Sequence, residues 1–316
     1  MSKQENIRSA YNTIMELKGV DEFKSMIKRL QVFLSNKQKY ALSDINLPNY
    51  LLKISRGGGV TTLINAFTNF LHATKAIDFC GLERSFEFKL SYTSPELYFS
   101  ELTRFENTLV EMAGYKHHYK GVVCVNIHEW LGHTSEPHFK RFIDYIARNK
   151  ELVVVFYIHA SNKSNKIAQA NFKAMESVLS LRLRLETLEL RFPRADELVD
   201  HVNEHFMQDK GFTFGADAKA LLCETIDELT TGKHFSGFKT IAQLANDILY
   251  HVLSQVLVNS KEITAKMLKG FEKDSIYVKR QKSQTGPKKV IGFTDTQPVV
   301  KQPTREDLSA NERSRV

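Results

Sequence analysis

The chain has no run of about 18 consecutive apolar residues, so no membrane-spanning helix is expected. It opens on Met1-Ser2-Lys3-Gln4-Glu5-Asn6, which is polar and lacks the apolar core of a signal segment. It has few cysteines. Cys80, Cys124 and Cys223 stand far apart in apolar contexts, which excludes a disulfide frame and a cysteine zinc site and suits a cytoplasmic protein. Prolines are also scarce, and three of the seven (Pro287, Pro298, Pro303) crowd into the last part of the chain. That stretch is poor in large apolar residues. From Ser275 to Val316 nine Lys/Arg face four Asp/Glu, so about +5 of the formal +8 lies there and the body is close to balanced. Residues 273–316 therefore read as a basic, disordered tail, either a solvated end or a contact for nucleic acid or acidic partners.

What is present points to an α/β core. Asn49 to Ile54 reads as a buried strand, followed by Gly57-Gly58-Gly59, then Val60-Thr61-Thr62 and an apolar helical pattern over Leu63, Ile64, Phe67, Phe70 and Leu71. A strand, a glycine turn and a helix N-terminus present backbone N–H groups and a helix dipole to a phosphate. In the intact pattern G-x-x-x-x-G-K-[ST] a lysine neutralises the phosphates and the hydroxyl holds Mg2+. With Gly59 set on the second glycine, Thr61 falls on the hydroxyl position, Val60 on the lysine and Ile54 on the first glycine. The scaffold is kept and its principal charge is lost. A tight turn with no ligand is the competing reading.

Further along, Phe86 to Leu90 alternates as a short strand and Pro95 to Met112 has helical spacing. Gly121 to Ile127 and Leu152 to Ile158 are β-branched runs of the kind covered on both faces of a sheet. Helices are expected over 139–147 and 166–180, and a strand over Leu188–Phe192. After Pro193 only helical patterns follow: Ala195–Met207, Ala216–Leu229, Phe238–Leu257 and Ile263–Leu268. The fold class expected is α/β, a parallel sheet with helices on both faces, followed by a small α-helical lid. The divisions are 1–48 for an N-terminal helical segment, 49–193 for the core, 194–272 for the lid and 273–316 for the tail.

In this order the pieces resemble a AAA+ ATPase module, and more closely the red-type rubisco-activase and stage-V-sporulation group, over roughly residues 11 to 257. Leu17-Lys18-Gly19-Val20-Asp21 is similar to the segment whose glycine lies near the adenine, which implies Gly19 and Val20 as nucleotide contacts. Gly57, Gly58, Gly59, Val60, Thr61 and Thr62 resemble the Walker A loop, with Thr61 at the metal. Gly121 to Ile127 resembles the Walker B strand, with Asn126 on the aspartate and Ile127 on the glutamate. A two-residue shift would instead bring Glu129 to the catalytic place. Ala160-Ser161-Asn162 resembles the segment carrying the sensor 1 polar residue, Asn162. Ser180 to Arg184 resembles the region supplying an arginine finger, Arg184, to a neighbour. Lys239 falls where the family carries its sensor 2 arginine.

The departures fall on the chemistry. Val60 offers phosphate no charge, Asn126 offers Mg2+ none, and Ile127 cannot activate water. Phosphoryl transfer depends on electrostatic positioning, so little hydrolysis is expected. The resemblance implies ATP or ADP as ligand, and these losses imply weak binding with little hold on Mg2+. It also implies homo- or hetero-oligomers with AAA+ subunits. The leading expectation is a non-hydrolysing or weakly hydrolysing subunit, adaptor or regulator. The alternatives are a remodelling ATPase with an atypical loop and a nucleic-acid-associated module using the tail. His128-Glu129-Trp130-Leu131-Gly132-His133 spaces its histidines at i and i+5, not the i and i+4 of a zinc-peptidase helix, so no metal centre is expected there.

Overall fold

The computed structural model describes residues 3–40, 42, 46–92, 95–115, 118–160, 166–232, 235–255, 261–271 and 275. They fall in one compact unit, Met1–Gln281. The basic tail from 276 onward and Asn162 lie outside the described residues.

Two helices, α1 (Lys3–Glu16) and α2 (Asp21–Lys39), precede the sheet. The core then alternates: β1 (Asn49–Ser55), α3 (Val60–Ala73), β2 (Ser85–Lys89), α4 (Pro95–Met112), β3 (Gly121–Asn126), α5 (Pro137–Arg148), β4 (Leu152–Ala160), α6 (Lys166–Ser180) and β5 (Leu185–Leu190). The five strands form a wholly parallel sheet in the order β2-β3-β4-β1-β5. The period-2 alternation of side chains divides the strands between two cores. Leu51, Val123, Val125, Val154, Phe156 and Ile158 pack with the apolar stripes of α4, α5 and α6. Tyr50, Leu52, Ile54, Val122, Cys124, Val153 and Val155 pack with α1, α2 and α3. This double coverage is why β3 and β4 read as unbroken apolar runs.

Helix α3 carries the glycine loop, and its anchoring matters most. Leu63, Phe67, Phe70 and Leu71 recur on one face and are buried. Phe67 lies edge-on to Phe23 at 5.5 Å and to Tyr50 at 5.3 Å. Its burial alone stabilises by about 2–3 kcal/mol. The helix start is thereby fixed against the sheet.

After β5 come α7 (Ala195–Val202), a π-helical turn (Asn203–Met207), α8 (Ala216–Thr230) and α9 (Phe238–Leu253) around a third core. The fold class is the expected one. One expected helix is absent. At 263–268 the chain instead forms β7 (Glu262–Ile263), which pairs in parallel with β6 (Thr213–Phe214), and then continues in turns. Ile263, Met267 and Leu268 have helical spacing, but the backbone at Lys261 and Ile263 accepts from Thr213 N–H and Gly215 N–H, and this pairing overrides the local pattern. No helix among the described residues is long and apolar enough to cross a membrane.

Candidate functional site

The glycine loop leaves the C-terminal end of β1. Gly58 N–H closes a tight turn onto Ser55 O at 2.9 Å, and Leu63 N–H starts α3 from Gly59 O. Gly57 and Gly59 hold φ of 73° and 77°, where a side chain is strained. Gly59 caps α3 without a side-chain acceptor. Thr61 and Thr62 are exposed at the first turn, whereas Val60 leans onto the core beneath α3.

Asn126 ends β3 at the same edge of the sheet, with β4 lying between it and β1. It is level with Tyr157 of β4, which is level with Leu52 of β1. The Asn126 Oδ1 accepts His128 N–H at 3.0 Å. Ile127 is fully buried in the core under α4–α6. Glu129 sits in a short 3-10 turn and is engaged elsewhere. Its carboxylate lies 2.5 Å from Lys89 Nζ and accepts Tyr92 N–H at 3.0 Å. Lys89 and the Tyr92 amide hold it below the usual carboxylate range. The shifted register therefore brings no free carboxylate to the loop.

The residues that do meet Thr61 were not foreseen from the sequence. Thr61 Oγ1 donates to Glu87 Oε2 at 3.3 Å, and Tyr157 OH donates to the other Glu87 oxygen. Burial first, then the Glu87 bond, pushes the Tyr157 phenol up. Beside them His159 N–H points at His128 Nδ1 at 3.3 Å. Burial lowers both imidazoles, and Arg56 adds to the effect. In Ser-Phe-Glu-Phe-Lys the only visible signal for Glu87 was its place between two inward phenylalanines. The partner strand decided the rest.

The lid closes on the loop. Phe238 N–H donates to Gly57 O at 3.1 Å. A Cβ on Gly59 would meet the Phe238 ring at 3.5 Å. That ring also rests on Phe192 and His201, with centroids at 5.7 and 5.2 Å. Burial, then His205, lowers the His201 pKa to about 4. Lys239, on the next residue of α9, is exposed. At the other wall, Val20 is buried and a Cβ on Gly19 would fall 2.8 Å from the Pro193 ring. Lys18 reaches across to Glu204 of the lid at 3.1 Å. A cavity of about 990 Å3 opens beside the loop, lined by Ser55, Arg56, Ala160, Phe192, Asp196 and Asp227 among others, with none of the three glycines in its wall.

The arginines flanking β5 are engaged. Arg182 pairs with Asp144, Arg194 with Asp196, and Arg191 binds Glu197 through both nitrogens while reaching Asp21 at 3.0 Å. Arg184 is exposed and donates to Asn46 O at 3.1 Å. It precedes β5, at the edge of the sheet opposite the glycine loop, so it cannot serve the loop of its own chain. Among the described residues no group of three or more His, Cys, Asp or Glu could hold a metal, and His133 is engaged by Glu136 and stacked on Tyr92.

At the expected Walker positions these residues bring no cation to the phosphates of a Mg-nucleotide and no carboxylate to its metal. The lysine position is apolar, the Asn126 carbonyl oxygen is taken by an amide, and a backbone carbonyl and an aromatic ring face the turn where phosphate oxygens would need donors.

No family model matches the chain and no curated protein matches it in sequence. Among solved structures it is similar to that of C. elegans PCH-2, a AAA+ ATPase, at 13% identity and a TM-score of 0.50, covering 86% of this chain and 72% of that one. The likeness concerns the fold alone: a P-loop NTPase-like parallel sheet between helices, followed by a helical lid.

Proposed function

We propose that this chain is a AAA+-type subunit with a degenerate nucleotide site, serving as a non-hydrolysing or weakly hydrolysing adaptor or regulator in an oligomeric assembly. The carrying observation is the chemistry at the sheet's C-terminal edge. Val60, Asn126 and Ile127 stand where the pattern needs a lysine and two carboxylates, and Ile127 is fully buried. Glu129, the nearest substitute in sequence, is bound to Lys89 and Tyr92. Nucleotide would bind weakly, through the backbone of Gly57 to Thr62, with Gly19, Val20 and Lys239 around it and Thr61 the only Walker A ligand for Mg2+. Arg184 faces away from its own loop, in keeping with a finger offered to a neighbouring subunit. Asn162 would complete such a site as the sensor 1 residue. The division into a core over 49–193 and a lid over 194–272, and the kinship with the rubisco-activase group, belong to the same proposal.

The test is ATP turnover by the purified protein. Turnover at background is the expected result. Robust hydrolysis would overturn the proposal and favour the remodelling-ATPase reading. That reading has one observation of its own: Glu87, 3.3 Å from the Thr61 hydroxyl, brings a carboxylate toward the metal position from β2.

A further inference from the structure

Between the glycine loop and the lid the chain contacts itself. Gly57 and Gly237 approach so closely that neither tolerates a side chain. A Cβ on Gly57 would fall 2.3 Å from Ser236 O, and one on Gly237 would fall 2.2 Å from Gly57 O. The Phe238 N–H bond to Gly57 O crosses the same gap. The Phe238 ring stands beside Gly59, the residue that opens α3, 3.5 Å from where a Cβ on that glycine would lie. Phe192 and His201 back the ring, so it is wedged between lid and loop.

A phosphate needs donors about 2.7–3.2 Å from its oxygens and no apolar surface in between. The Phe238 ring puts apolar surface beside the start of α3, where those oxygens would need donors. A carbonyl pointing at the gap presents the wrong polarity for an anion.

We propose that Phe238 is an intramolecular plug of the former phosphate site, and that the Gly57–Gly237 clamp holds the lid shut on the core without nucleotide. The lid then keeps one orientation, and any surface shared by core and lid is permanent and not gated by nucleotide. The inference rests on reading Gly57 to Thr62 as a former phosphate loop.

Two measurements test it. In the unmodified protein, exchange mass spectrometry on peptides spanning 236–242 should show the Phe238 amide among the slowly exchanging ones, unchanged by saturating Mg-ATP. Fast exchange there overturns the clamp, whatever the variants do. The second measurement is calorimetry with Mg-ATP. Val60→Lys alone should gain no affinity, because the plug is still in place. Val60→Lys with Phe238→Ala should gain at least about tenfold, since the lysine then has a phosphate to neutralise. An equal gain from Val60→Lys alone, or no gain from the pair in a protein that still melts cooperatively, overturns the plug. If the pair does not fold, the exchange result decides. Turnover by the unmodified protein would sink the non-hydrolysing reading itself. Turnover at background together with fast exchange or the wrong affinity pattern would sink the plug alone.

Discussion

Placing alanine at Gly57 and Gly237, singly and together, measures the contact between core and lid. Gly57 has φ +73°, and an L-residue there costs about 1–2 kcal/mol in backbone strain. Its new methyl would stand 2.3 Å from Ser236 O, a backbone atom that no rotamer change can move. The lid loop must withdraw by about 1 Å to restore contact distance, which breaks the Phe238 N–H bond to Gly57 O, worth about 1 kcal/mol net. Gly57→Ala should therefore lose about 2–3 kcal/mol. Gly237→Ala should lose at least as much, because its φ of 70° and ψ of −139° lie in a region nearly restricted to glycine. The two losses share one event, the withdrawal of the lid. The double variant should consequently lose about 1 kcal/mol less than the sum of the singles. Gly211→Ala is the control: φ is +77° with nothing within 4 Å of the added Cβ, so only the strain of about 1–2 kcal/mol remains. At about 2 °C per kcal/mol for a chain of this size, differential scanning calorimetry should resolve about 4–6 °C for Gly57→Ala against about 2–4 °C for the control. Strict additivity in the double variant, or a loss at Gly57 no larger than at Gly211, would refute the reasoning.

Two further outcomes follow from side-chain environments. His201 has its folded-state pKa depressed to about 4 by burial and by His205, with Glu204 opposing, against an ordinary 6.5. The unfolded chain thus binds a proton that the folded chain refuses between about pH 6.5 and pH 4, so stability falls as the pH drops through that window and is full above it. His128 and His159, shifted in the same direction, act in the same sense. His201→Gln should shrink the difference in melting temperature between neutral and acidic buffer, and an undiminished difference would show that His201 is solvated. Glu129→Gln should leave ATP turnover at its background value and lower stability at neutral pH by no more than about 1 kcal/mol, the loss of one partly exposed ion pair with Lys89. Loss of a measurable turnover in that variant would restore Glu129 as a catalytic residue.

The sequence alone determined the layout of the core, because that layout is written in local periodicity. Runs such as Gly121-Val122-Val123-Cys124-Val125 are apolar at every position, and only a strand covered on both faces buries them all. Leu63, Phe67, Phe70 and Leu71 repeat at helical spacing and anchor α3 behind three glycines, so the strand, turn and helix of the loop were legible, as was the absence of lysine at Val60. The same local logic misread Ile263 to Leu268, whose apolar spacing suits a helix but whose backbone answers to Thr213 and Gly215.

Only the tertiary structure decided what surrounds the loop, because those contacts join residues that no spacing rule relates. Glu87 reaches Thr61 and Tyr157 only because β2 lies beside β3 and α3 starts above that edge. Glu129 is drawn to Lys89 and away from the loop by the same pairing of strands. Gly57 and Gly237 lie far apart in the chain, and each is an ordinary turn glycine in sequence. Their need for glycine comes from the partner's backbone 2.2–2.3 Å from a Cβ that neither carries.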